Sequence, residues 1–282
     1  MGAKSARTYR IYEGAELSRL LKMFERAGFV FHEGQIEFLR RSYKYRFFIG
    51  GRRLGKSVLL ASTILVHLLE SIACGQEPRV RLIAPRHDQI KETVRYLEQL
   101  CQGLGLHYEN RHTDPLDPRF LVEGYRVDLR IGGKQAAHRG GWASLLCIDE
   151  ARDIDGTVFF EAIRPLLLDV GGQLAIVSTP HGRNWFIQYA ESLGLSYRRE
   201  PFSLDERTPY YSESFGLEPA FLVHAPSWVN PYLSQRDLEQ MYQEMSRGAF
   251  VIADIFGGDS GSGIGGLRSS VSDSADICGD TA

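Results

Sequence analysis

The chain has 282 residues, of which 43% are hydrophobic, 11% aromatic and 24% charged, and its formal net charge is −2. This globular composition excludes a collagen, a coiled coil or a disordered protein as the main body, and the near-neutral balance gives no global signal for a polyanionic partner. At roughly 100 to 200 residues per domain, the length suggests one large domain, or a domain with an appendage. Arg7, Arg10 and Glu13 interrupt every apolar stretch that a secretory signal needs, and Ala6 stands where a myristoylation signal requires Ser or Thr. Cys74, Cys101, Cys147 and Cys278 form no CxxC pair, so neither a zinc site nor a disulfide framework is indicated and a reducing cytosol fits.

Along the chain, helices are expected at 16–26 and 35–42. Next come a strand at 45–49, a helix at 56–74, a strand at 80–84 and a helix at 87–101. A hairpin follows, 120–122 and 125–131, turning at Glu123 and Gly124. Then come a strand at 145–148, a helix at 158–167, a strand at 174–178, a helix at 184–193 and a last helix near 233–246. The apolar run at 58–69 is broken by Ser62, Thr63 and His67, so no membrane-spanning helix is expected. Apolar strands this continuous, alternating with helices, predict an α/β fold with a mostly parallel sheet covered on both faces. Residues 257–282 carry seven Gly, six Ser and four Asp and read as a disordered tail, either a native linker or vector read-through. Without that tail the body is about +1.

Gly50, Gly51, Arg52, Arg53, Leu54, Gly55, Lys56 and Ser57 satisfy GxxxxGK[ST] between a strand and a long helix, the context a phosphate-binding P-loop requires. Glycines let backbone N–H groups converge on phosphate oxygens, and the helix beginning near Lys56 adds its partial positive charge. Lys56 is expected on the β- and γ-phosphates and Ser57 on Mg²⁺. Arg52 and Arg53 read equally well as phosphate contacts or as solvated loop arginines. About ninety residues on, Leu145 to Ile148 end in Asp149 and Glu150, a Walker B pattern in which Asp149 holds Mg²⁺ and Glu150 polarises the attacking water. The strand at 173–177 delivers Ser178, Thr179 and Pro180 to the same edge, where hydroxyls are placed to sense the γ-phosphate. Basic clusters at 40–46 and 79–95 are interspersed with acids and read as solvated helix faces.

GGRRLGKS, LLCIDEA and VSTPHGRNWF, in this order and spacing, resemble the ATPase domain of the large terminase subunit of tailed double-stranded DNA bacteriophages, over about 31–201. HEGQIEFL resembles that family's adenine-contacting segment, which implies Gln35 as adenine reader. HRGG stands where the family carries an Arg-Gly whose arginine is proposed to reach a neighbouring subunit's nucleotide, which implies Arg139 as an arginine finger. The resemblance implies a RecA-like (ASCE) P-loop ATPase domain over 1–206 and a small lid or linker over 207–256. The nuclease domain of full terminases is not expected in this chain. It also implies ATP and Mg²⁺ as cofactors and double-stranded DNA, the procapsid portal protein and the small terminase subunit as partners. A homo-oligomeric, pentameric ring in the host cytoplasm, without a membrane, completes the expectation. The alternatives are a RecA-like helicase, which needs a second motor domain, and a non-catalytic nucleotide-binding module, which intact Lys56 and Glu150 oppose.

Overall fold

Apolar runs long enough to be buried on both faces form the middle of a nine-stranded sheet. The computed structural model describes residues 9–133, 140–180, 184–200, 202–203, 206–234, 236–237 and 240. In chain order the elements are β1 (Arg10–Ile11), α1 (Gly14–Arg26), α2 (Glu33–Arg40), β2 (Arg41–Ser42), β3 (Tyr45–Gly50), α3 (Lys56–Ala73), β4 (Val80–Ala84) and α4 (His87–Leu104). They continue with β5 (Tyr108–Arg111), β6 (Arg119–Val122), β7 (Tyr125–Ile131), β8 (Leu145–Asp149), α5 (Gly156–Val158), β9 (Gln173–Ser178), α6 (Trp185–Ser192), β10 (Tyr210–Ser214) and β11 (Ala220–Ala225).

The sheet order is β10-β11-β3-β9-β8-β4-β7-β6-β5. From β11 to β7 all neighbours are parallel, while β10 at one edge and the β5–β6 pair at the other are antiparallel. Alternation along each strand divides the core in two. Phe48, Leu82, Cys147, Val177 and Val223 face α1 to α4, and Phe47, Ile49, Ile148, Ile176 and Leu222 face α6 and the turns after β8. Because the sheet is parallel in its middle, the chain leaves β3, β8 and β9 on the same edge, and the sequence motifs meet there.

The expected mostly parallel α/β sheet and the 120–131 hairpin are present, and Glu123 and Gly124 take φ of 49° and 80°, the left-handed pair of a tight hairpin turn. Four expectations change. Helix α2 stops at Arg40 because Arg41 and Ser42 pair with Ile11 and Arg10. The helix expected over 158–167 is instead α5, a π turn (Phe159–Ile163) and a 3₁₀ turn (Arg164–Leu167), since Pro165 has no N–H to continue an α-helix. Residues 210–225, expected in a lid or linker, are β10 and β11 of the main sheet, so the sheet extends past the boundary placed at 206. Helix α3 is long and apolar enough, by length and composition alone, to cross a membrane; with 61% of it buried beneath the sheet and α4, that apolarity belongs to a core helix. Most of 233–246 and all of 257–282 lie outside the described residues.

Helix α1 reaches the core through a close crossing on α4, where a Cβ added to Gly103 would lie 2.5 Å from Ala27 Cα. Gly103→Ala should therefore displace α1 and destabilise the protein by about 1–3 kcal/mol, read as a lowered urea midpoint. An unchanged midpoint would show that the crossing relaxes freely.

Candidate nucleotide site

The chain leaves β3 into a loop that closes over Leu54, which is fully buried. A Cβ on Gly50 would lie 2.2 Å from Leu54 Cδ2 and 2.9 Å from the Ala225 carbonyl, so Gly50 is required by close packing of the loop on β11. Gly55, at φ +73°, turns the chain into α3. Arg52, Arg53, Gly55, Lys56 and Ser57 line a cleft of about 430 Å³, faced by Glu92 and Tyr96 of α4 and by Glu150. The cleft is bounded by the N-terminus of α3, whose free N–H groups favour an anion. Lys56 Nζ donates to the carbonyls of Gly50 (3.1 Å) and Gly51 (2.9 Å) and lies 3.7 Å from Glu150 Oε1.

Asp149 ends β8 on the α3–α4 side, 3% exposed, with the Thr93 hydroxyl 3.5 Å from Oδ2. Burial, reinforced by Glu150, pushes its carboxyl up to about 7 despite Lys56. Glu150 leaves the strand in a left-handed turn (φ 46°, ψ 58°), a strained conformation for a side-chain-bearing residue. That turn sends the two adjacent carboxylates to different partners. Glu150 Oε2 accepts from the Thr179 N–H (3.0 Å) and Oε1 from the Thr179 hydroxyl (2.8 Å). Burial alone would raise the Glu150 carboxyl, but Lys56 and the two Thr179 bonds hold it below its ordinary value.

The structure brings Lys56, Ser57, Asp149, Glu150, Ser178 and Thr179 to one edge. Gln35 is 3% exposed; its Oε1 accepts from the His32 N–H (3.2 Å) and its Nε2 donates to the Gly55 carbonyl (3.1 Å), so its amide fastens α2 beneath the P-loop. Ser178 is fully buried and accepts from the Arg152 N–H (3.1 Å), holding the turn after the acid pair, while Thr179 bonds Glu150 itself. Gly50 likewise serves packing. Arg139, as well as His181 to Arg183 of the third motif, lies outside the described residues. Gly140 and Gly141, which follow Arg139, both have positive φ.

Several contributors are invisible to motif reading. His32 supports the loop with Nε2 3.2 Å from the Leu54 carbonyl. Trp185 Nε1 donates to the carbonyls of Ala151 and Ile154, fixing the turn after the acid pair. Asn230 Nδ2 donates to the Arg53 carbonyl (2.7 Å), and Asp237 pairs with the Arg53 guanidinium (2.5 Å), tying the segment after β11 to the P-loop. Glu92 and Tyr96 sit on one face of α4 at i and i+4, a spacing that marks a shared surface but gives no hint that it faces a cleft.

Gln35→Ala should remove one of the two donors to the half-buried Gly55 carbonyl, which keeps the Leu59 N–H, and cost about 0.5–1.5 kcal/mol, while the ratio of ATP to GTP affinity stays unchanged. A shifted ratio would favour the adenine-reading role. Asp149 gives a pH signature. Unfolded, its carboxyl loses its proton near 4, whereas folded it keeps the proton to about 7. Stability therefore falls as pH rises across that window. Glu150, lowered when folded, contributes the opposite trend only at more acid pH. Asp149→Asn should remove the decline between about pH 4 and 7 in the urea midpoint; the same decline in the variant would refute the assignment.

A sequence profile described as terminase large subunit, T4likevirus-type, N-terminal, matches residues 47–192. The large terminase subunit of Thermus virus P23-45 is 28% identical over 190 residues, covering 60% of this chain and 37% of that relative. The chain therefore aligns with little more than a third of the curated relatives' length. Among solved structures, the large terminase ATPase domain of Thermus phage P74-26 superposes with a TM-score of 0.61 at 22% identity, over 83% of this chain and 97% of that one. The large terminase of a second thermophilic bacteriophage, solved with ADP, gives a TM-score of 0.56 at 16% identity, over 77% of this chain and 50% of that one. These likenesses establish the fold as that of terminase ATPase domains, α/β and RecA-like, and with the profile covering half of its residues the chain belongs to the terminase large-subunit N-terminal family.

Proposed function

We propose that this chain is the ATP-hydrolysing motor domain of a viral terminase large subunit, driving double-stranded DNA into a procapsid. The observation that carries the reading is the convergence of Lys56, Ser57 and Glu150 on one cleft, with Asp149 buried beside Glu150 at the end of the same strand and Glu150 clamped by Thr179.

Lys56 is positioned to exchange its two loop carbonyls for phosphate oxygens, and the α3 N-terminus stabilises the same charge. The donor set fits Mg²⁺. Among the described residues no cluster of three metal-ligating side chains occurs, which suits an ion that takes one or two protein ligands and fills its shell with phosphate oxygens and water. Ser57 and Asp149 would hold it, and its charge relieves the penalty that lifts the buried Asp149 carboxyl to about 7. When bound, Mg²⁺ would supply positive charge against the phosphates.

Glu150 stays ionised, as a base must, but its oxygens accept from Thr179. Each oxygen keeps a second lone pair, so Glu150 can orient a water while Thr179 holds the carboxylate in place. We assign Arg139 to a neighbouring subunit's cleft, in a homo-oligomeric ring working with the portal protein and the small terminase subunit in the cytoplasm of the infected cell. Its following glycine pair supports a loop that can reach outward.

Glu150→Gln should retain Mg²⁺-dependent ATP binding while kcat falls by about 10²–10⁴, whereas Lys56→Ala should lose binding itself. Wild-type turnover in Glu150→Gln would remove Glu150 from the chemistry, and equal ATP affinity in Lys56→Ala would remove the P-loop reading altogether.

A further inference from the structure

On the sheet face that carries Ile49, Ile148 and Ile176, the apolar cover ends at Ile83 of β4. Strand alternation and register place Arg81 of β4, Arg126, Asp128 and Arg130 of β7, Arg119 and Leu121 of β6, and Glu109 and Arg111 of β5 on that same face, where no described helix packs. A sheet end without cover normally carries mixed short polar residues. This one concentrates guanidinium groups. Arg79, Arg81, Arg119, Arg126 and Arg130 surround only two carboxylates, Asp117 and Asp128, with Arg79 and Arg81 each 3.6 Å from Asp128 and Arg130 3.9 Å from Asp117. Glu109 is occupied by Arg111. Among the described residues these five guanidiniums exceed the two carboxylates by three, or by two when Asp114 of the adjoining turn is counted; Arg81, 5% exposed, lies beneath, and Arg79, Arg119, Arg126 and Arg130 reach the surface.

We propose that this arginine face is a binding surface for the phosphate backbone of duplex DNA; the inference rests on the packaging reading above. Charge complementarity commits it to a polyanion. An acidic face on a second copy is the alternative that the test below separates. The other basic cluster is not available to DNA. Arg40 and Arg41 pair with Glu13, Glu37 and Glu213, and Arg46 is buried over the Phe38 ring. Guanidiniums on adjacent strands, about 4.8 Å apart, form a rigid two-dimensional array, and Arg forks match phosphate oxygens bidentately. Asp128, 1% exposed beneath them, cancels one charge and ties Arg79, Arg81, Arg126 and Arg130 together.

The test is DNA affinity of the whole chain without nucleotide, by fluorescence anisotropy with a random-sequence duplex across a salt series. Arg79→Ala/Arg130→Ala removes two charges yet leaves Asp117 to Arg119 and Arg126, and Asp128 to Arg81 and Arg126, so the fold should survive, checked by thermal melting. Affinity should fall about tenfold or more near 0.1 M salt, and the slope of log K against log salt should shrink in magnitude by about 2, or 0.9 per lost phosphate contact. The control Arg19→Ala/Lys22→Ala, on the far side in α1, should keep wild-type affinity and slope. Failure of the wild type to bind at low salt, an unchanged double variant, or an equal loss in the control overturns the proposal. A change in oligomeric mass with DNA affinity intact would also overturn it, assigning the face to contacts between copies. Because no nucleotide is present, failure here is distinguishable from failure of the ATPase reading, which Glu150→Gln and Lys56→Ala test separately.

Discussion

The bidentate hold of Thr179 on Glu150 is the interaction on which the cleft depends. In the sheet, β9 lies between the strand that leads into the P-loop and the strand that ends in the acid pair. Glu150 therefore reaches Lys56 only across the end of β9, and Thr179 is the residue at that crossing. The left-handed turn at Glu150 makes the reach possible, and Ser178 and Trp185 hold the following turn by its backbone. Strain at such a position persists only where surrounding contacts over-determine it. Here they come from β9, α6 and the P-loop at once.

Two neighbouring carboxylates, one buried and one half-buried, acquire opposite character from this arrangement. Asp149 follows the strand into the space beneath α4, where one long contact from Thr93 does little to offset desolvation, and its carboxyl rises. Glu150 turns out of the strand toward two hydrogen-bond donors and an ammonium group, and its carboxyl falls. The difference between a carboxyl that holds its proton and one that is already charged is set by one backbone turn, not by residue type.

Which features are legible in the sequence follows from how local their causes are. The P-loop, the acid pair and the Glu123–Gly124 hairpin are contiguous, so residue types and spacing suffice. Ala220–Ala225 carries the same continuous apolar signal as the central strands, yet the family resemblance places the region in a lid, and the resemblance outweighs the pattern. Gln35 is legible only in part, for a different reason. An amide near a P-loop has the right chemistry for adenine, and only the fold shows that both of its ends are used by His32 and Gly55. Glu92 and Tyr96 escape sequence reading because α4 meets the cleft through tertiary packing, which no local pattern encodes.

The same logic explains why one sheet has two characters on a single face. Register places Ile83 beside the isoleucines of the central strands, while Arg81, two residues earlier on the same face, begins the charged array. Strands β4 and β7 therefore belong to both regions. β4 leads into α4, which carries Glu92 and Tyr96 to the cleft, and its Arg81 lies against Asp128 of β7. β7 continues through Gly132, packed closely on Ile154 behind the acid pair. The turn after the acid pair and the end of β7 are thus in direct contact, through the Ile154 side chain that only a glycine at 132 leaves room for.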